Sequence, residues 1–202
     1  MAVSAALAWL WPGITFGTAL ALLGTWAGWL IGRYRSWLIV RWIAWWIGSV
    51  VRPLVIHPSW ARRSTFIFLN NIAILGLLVA IGEWPAAAIA GAASLGVSLG
   101  IALRVIGQCT WGFSAPSATN PSGARLRAFR VGIALNLLEP PAIALALGIA
   151  IARGTTPLSA MEAWTLFAYG VVPAMLLAAA GEGLWIGAGI NAATKPRSHE
   201  AT

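Results

Sequence analysis

The chain has 202 residues, 59% of them hydrophobic and 9% charged, and its 13 Lys and Arg against 5 Asp and Glu give a net charge of +8. So apolar a composition excludes both an ordinary soluble domain and a disordered chain. The positive charge would suit nucleic acid, but twelve of the thirteen basic residues fall into three stretches between long apolar runs; that pattern marks Arg held at one membrane face and attracted to anionic headgroups, so no nucleic-acid partner is expected.

Runs long enough to cross a hydrocarbon core of about 30 Å, which takes about 20 helical residues, predict five spans at 13–32, 64–84, 85–103, 131–152 and 165–190. The expected fold is an all-α polytopic helix bundle, one transmembrane domain over 1–190. The opening residues MAVSAALAWLWP lack the basic region of a secretory signal, so they are expected to be retained, with Trp9 and Trp11 as interfacial anchors. With Arg33, Arg35, Arg41, Arg52, Arg62 and Arg63 cytoplasmic, alternation also places Arg104, Arg125, Arg127, Arg130, Lys195 and Arg197 inside and leaves only Arg153 outside. The predicted orientation in the cell's inner or plasma membrane has the N-terminus outside and the C-terminus cytoplasmic.

After the first span, residues 36–52 are apolar but short, interrupted by Arg41 and crowded with Trp37, Trp42, Trp45 and Trp46. They read as a helix lying at headgroup level and meeting anionic lipids, with Arg41, Gly48 and Arg52 on one face and Leu38, Trp42, Trp46 and Val50 on another. A turn around Gly82, Glu83, Trp84 and Pro85 joins the second and third spans into a tight hairpin. The segment 107–124, rich in Gly, Ser and Pro and holding the lone Cys109, reads as a flexible cytoplasmic loop; 153–163 reads as an external loop and 191–202 as a disordered cytoplasmic tail. Cys109 has no disulfide partner and belongs to no metal-ligand spacing.

Small residues recur at four-residue spacing as Gly24, Gly28 and Gly32, as Ala92, Gly96 and Gly100, and as Gly183 and Gly187. Such stripes let helix backbones approach closely in a bilayer. Within the spans, Asn70, Asn71, Asn136, Glu139 and Glu182 are the polar groups that need a reason, since an intramembrane carboxyl is costly and points to function. Counted from the cytoplasmic ends at 1.5 Å per residue, Asn70 and Asn71 lie about 10 Å deep and Glu139 and Glu182 about 12 Å. That single layer, which Ser94 and Ser98 can join, is either a hydrogen-bonded hub or a site. Pro140 and Pro141 withhold the N–H groups that would bond the carbonyls of Asn136 and Leu137, so the fourth span is expected to kink or break at Glu139, as at the broken-helix sites of transporters. Pro173 similarly frees the carbonyl of Tyr169. Gly96-Val97-Ser98-Leu99-Gly100 matches the G-x-S-x-G pattern of serine hydrolases, but His57 and His199 lie outside the spans and cannot serve Ser98 as a base. No catalytic set, cofactor or metal is expected.

Three segments, FIFLNNIAILGLLVAIG at 66–82, LLEPPAIALALGIAIARG at 137–154 and LLAAAGEGLW at 176–185, make the chain resemble the stage II sporulation protein M family of integral membrane proteins. On this resemblance Asn70, Asn71, Glu139 and Glu182 match family positions. The chain departs from the family at Leu135 and Asn136, where a His-Gly pair is common, and at SLGVSLG (94–100), where Asn-Gly is frequent. The resemblance implies a non-enzymatic membrane protein; in spore formers, members anchor peptidoglycan-degrading partners. The expected function is therefore to anchor or assemble a membrane complex, with a membrane-protein partner or a second copy. The alternative is a permease-like subunit whose Glu and Asn groups take a proton, cation or small solute.

Overall fold

The computed structural model describes residues 3–108 and 123–193, which form helices joined by short turns and contain no strand. In chain order these are α1 (Val3–Ile31), α2 (Leu38–Trp46), a π-helical turn (Ile47–Val51), α3 (Arg52–Val55), α4 (Trp60–Ile81) and α5 (Pro85–Gln108). After 109–122 come α6 (Gly123–Asn136), α7 (Glu139–Thr155), α8 (Ala160–Leu166), a second π-helical turn (Phe167–Val171) and α9 (Val172–Ala193). The expectations about Cys109, most of the 107–124 loop and most of the tail lie outside the described residues.

Among the described residues six helical stretches are long and apolar enough to cross a membrane: Leu10–Ile31, Leu38–Val55, Trp60–Ile81, Pro85–Ile106, Leu126–Thr155 and Ala160–Ala188. The stretch expected to lie at the interface is thus longer than its 36–52 reading, because α2, the π turn and α3 stack into one rod. Its path through the bundle follows from how its neighbours pack. A Cβ built on Gly24 would meet the Ala93 carbonyl, one on Gly28 the Val97 carbonyl, and one on Gly32 the Arg104 side chain. Numbers rise together along both helices, so α1 and α5 run parallel. α4 and α5 form an antiparallel hairpin through the turn at Gly82–Trp84, so α4 starts at the end where α1 and α5 finish. The rod at 38–55 begins after α1 and ends before α4. Both its ends therefore sit at the same end of the bundle, and it lies across that end instead of passing through.

The remaining stretches make five passes. α4 and the broken pair α6–α7 lead away from the end that carries Arg33, Arg35, Arg62, Arg63 and Arg104, and α1, α5 and α8–α9 lead toward it. The rod turns Val40, Ile43 and Ile47 inward onto Ile101 of α5, while Arg41, Gly48 and Arg52 are exposed. The buried stripe is not the Leu38–Trp42–Trp46–Val50 face, of which Leu38 and Trp42 are exposed.

The glycine stripes are spent inside the molecule. Gly96 and Gly100 of α5 press on the Ala21 and Thr25 carbonyls of α1, with built Cβ atoms at 2.2 and 2.0 Å. Only hydrogen at the α-carbon permits that approach. Gly183 and Gly187 of α9 clear space for Ser64 and Arg63 of α4. At the Arg-rich end the guanidinium of Arg104 stacks 4.6 Å above the Trp29 ring and that of Arg33 lies 5.1 Å from it, adding cation–π attraction across the α1–α5 seam.

Candidate functional site

The fourth pass breaks where two prolines follow a carboxylate. α6 ends at Asn136 and α7 starts at Glu139, with Leu138 N–H donating to the Leu135 carbonyl in a tightened turn. Pro140 and Pro141 occupy the first turn of α7, the one place in a helix where a missing N–H costs nothing. Glu139 therefore stands at a helix start, projecting from a fixed backbone step.

Opposite it, α4 presents the adjacent asparagines. The Asn71 amide donates to Glu139 Oε1 at 3.1 Å, and the Asn70 amide donates to Asn71 Oδ1 at 3.3 Å. The chain of donors runs one way, from Asn70 through Asn71 to the carboxylate. Glu139 Oε2 and Asn70 Oδ1, both acceptors, make no hydrogen bond among the described residues.

Asn70, Asn71 and Glu139 form the polar part of a cavity of about 460 Å³ lined by the rod, α4, α5, α7 and α9, with Ala21 of α1. The rod contributes Trp42, Trp46 and Ile47; the bundle contributes Leu95, Ile143 and Met175. Ser98 and Gly96 of the G-x-S-x-G match also reach this wall, and Gly96 and Gly100 pack on α1. His57 is occupied elsewhere: its Nδ1 accepts from the Ser59 N–H at 3.0 Å and its Nε2 lies 3.3 Å from Arg62. Ser98 and His57 do not form a catalytic pair.

On one side the cavity reaches the outer surface of the bundle, since Trp42, Ile74, Leu99 and Ile106 are both lining and substantially exposed. Toward the far end it stops. Leu78, Val79, Ala146, Leu147, Ile149 and Ala150 are buried against one another there.

Asn136 and Glu182 do not join the cavity wall. Asn136 ends α6 against Gly181 of α9, with its Oδ1 buried and unpartnered among the described residues. Glu182, the residue after Gly181, is half-buried and within electrostatic reach of Glu139. The five expected polar residues thus separate into a hydrogen-bonded trio lining the cavity and two residues, Asn136 at the α6–α9 seam and Glu182 of α9, that do not line it. Pro173 sits two residues past the π turn Phe167–Val171, in which Tyr169 is exposed.

Charge placement alone hides a further polar centre. Arg63 is 5% exposed, and its guanidinium donates to the Gly183 carbonyl at 2.9 Å (Nη2) and 3.2 Å (Nε), to the Pro58 carbonyl at 3.1 Å and to the His57 carbonyl. Trp60 Nε1 adds a bond to the Ala180 carbonyl at 3.2 Å. An arginine expected only to flank a span instead ties the end of the rod and the start of α4 to α9. Its trace in the sequence is the pair Gly183 and Gly187, whose missing side chains make the room.

Among the described residues no group of three or more His, Cys, Asp or Glu side chains is placed to hold a metal ion. Comparison of the chain with protein-family models, curated proteins and solved structures gives no match.

Proposed function

We propose that this chain is a non-enzymatic integral protein of the cell's inner or plasma membrane that anchors or assembles a membrane complex, with its N-terminus outside and its C-terminus cytoplasmic. One observation carries the reading: the lining of the polar cavity goes no deeper than Leu75 of α4 and Ile143 of α7, beyond which these helices meet in a cluster of buried aliphatic side chains. The resemblance to stage II sporulation protein M points the same way. Because the glycine stripes are spent within the bundle, the partner surface falls to the lipid-facing aromatics, above all Trp42 and Trp45 of the rod and Trp11 and Trp26 of α1. Arg41 and Arg52, on the exposed side of the rod, meet anionic headgroups.

A transport subunit is the second reading, favoured by a carboxylate at a helix break facing a cavity, the arrangement broken-helix transporters use. A mild-detergent pull-down of the tagged protein, repeated with Glu139→Gln and Glu182→Gln, separates the two. Stoichiometric partners retained by both variants, with thermal unfolding intact, are the expected result. A solitary protein that supports flux in proteoliposomes and loses it on either substitution would overturn the anchor reading.

A further inference from the structure

The cavity between the rod and α4, α5, α7 and α9 has a composition that selects a class of ligand, whichever reading of the bundle holds. Apart from Ser98 its wall is apolar except where a carboxylate and two amides converge, and its rod side carries two indole rings. The unspent oxygens at the polar end are acceptors, Glu139 Oε2 and Asn70 Oδ1, because the donor chain is directed from Asn70 into Glu139. Each amide keeps a second N–H, but an anion would face the like charge of the carboxylate there. A positive centre would meet a carboxylate and an amide oxygen, in a cavity whose lining also holds the indoles of Trp42 and Trp46, rings of the kind that attract cations. A free hydrated metal ion or a small polar solute fits poorly, because most of the wall offers no hydrogen bond. The opening beside Ile74 and Leu99 faces the bilayer, so an occupant enters from among the lipids.

We propose that this cavity binds a hydrophobic monocation, such as an apolar amine or a phosphonium, with its charge on Glu139 and Asn70 and its apolar body between Trp46, Leu95, Ile143 and Met175. The volume, about 460 Å³, lies in the range of pockets that hold drug-sized molecules. Charge and shape are supplied by different residues, so they can be removed separately.

The test uses the full-length protein in nanodiscs of zwitterionic lipid, where bulk electrostatic attraction is absent. Binding of tetraphenylphosphonium is read by tryptophan fluorescence and by calorimetry, with neutral triphenylphosphine oxide as the comparison. The expected result is saturable binding of the cation, at least tenfold weaker binding of the neutral compound, and a loss of tenfold or more in Glu139→Gln. Glu139→Asp should recover part of that loss. Ser98→Trp places bulk in the cavity from an exposed position of α5 without altering charge, and it should abolish binding while circular dichroism and thermal unfolding stay those of the wild type. Absence of saturable binding, equal affinity for the neutral compound, or unchanged binding in both Glu139→Gln and Ser98→Trp would each overturn the proposal. Because none of these readouts depends on a partner or on flux, failure here leaves the pull-down outcome unaffected.

Discussion

The α1–α5 seam allows a sharp test of close packing. A Cβ added at Gly100 would lie 2.0 Å from the Thr25 carbonyl oxygen, 2.7 Å from Trp29 N and 2.9 Å from Thr25 C. All three are backbone atoms, so no side chain can rotate aside, and relief requires the helices to separate by more than an ångström. Overpacking of this kind costs about 1–3 kcal/mol, and a gap of 0.5–1 Å already forfeits a quarter to a half of each dispersion contact along the seam. Against this, alanine is the better helix former by about 1 kcal/mol. Gly100→Ala is therefore expected to destabilise by about 2 kcal/mol, at the upper end of the packing term less the propensity gain. Gly48 is the internal control, because a Cβ there meets nothing within 4 Å, so Gly48→Ala should be neutral or slightly stabilising. The assay is unfolding in mixed micelles by titration with sodium dodecyl sulfate, followed by circular dichroism. A Gly100→Ala midpoint equal to wild type, or equal losses at both positions, would refute the reasoning.

Other sites give contrasting expectations. Arg63→Met keeps bulk but leaves the His57, Pro58 and Gly183 carbonyls without their donor, and should cost about 2–4 kcal/mol in the same titration, since hydrogen bonds to charged groups are worth about 1.5–3 each. Arg153 donates to the Val79 carbonyl at 2.8 Å and the Ala80 carbonyl at 3.1 Å as well as pairing with the half-exposed Glu83, so Arg153→Ala should destabilise measurably. Glu83→Gln should cost under about 1 kcal/mol and only at low salt; a larger loss at Glu83 than at Arg153 would contradict the assignment. Topology is checked by cysteine labelling in a Cys109→Ser background. Ser36→Cys and Ser59→Cys, at the two ends of the rod, should react with an impermeant maleimide from one side, and Thr156→Cys from the other; opposite-side labelling of 36 and 59 would turn the rod into a full span.

Much of this architecture is legible in the chain because a bilayer leaves few choices. Apolar length and Arg placement define the passes, and Gly82-Glu83-Trp84-Pro85 leaves room only for a hairpin. Depth counting puts Asn71 and Glu139 within reach of each other, and the structure joins them at 3.1 Å. Depth alone cannot say which way a side chain points, so it does not separate Asn136, at the α6–α9 seam, and Glu182 from the trio in the cavity. Arg63 is illegible for a similar reason: an arginine at a span's end usually snorkels, and only the Gly183 carbonyl across the bundle reveals otherwise. The start of α8 carried a readable sign. Ser159 and Glu162 form a reciprocal capping box, with the Ser159 N–H donating to Glu162 Oε2 at 3.0 Å and the Glu162 N–H to Ser159 Oγ at 3.3 Å, so the helix begins at Ala160, within residues read from the sequence as loop.

The two π turns follow from the same chemistry as the break at Glu139, applied to different neighbours. Each ends two residues before a proline: Ile47–Val51 before Pro53, and Phe167–Val171 before Pro173. A proline cannot donate to the carbonyl four residues back, here Ser49 and Tyr169, and its ring crowds that carbonyl, so the turn opens. The opening serves the packing. Ala163, Phe167, Val171, Met175 and Ala179 are all buried at a strict spacing of four. In a regular α-helix that spacing drifts about 40° per step, enough to carry the last of them off the bundle face. A single wide turn takes back much of the drift and keeps the stripe straight through Met175, which lines the cavity. Ile43, Ile47, Val51 and Val55 repeat the spacing across the turn in the rod, with Ile43, Ile47 and Val51 facing the same cavity and Val55 packed at its far end against α4 and α9. A four-residue apolar period followed by proline is therefore readable as a widened helix. Here it shapes two walls of the space that Glu139 faces, while the double proline at 140–141, placed at the start of a helix, makes the step from which Glu139 projects.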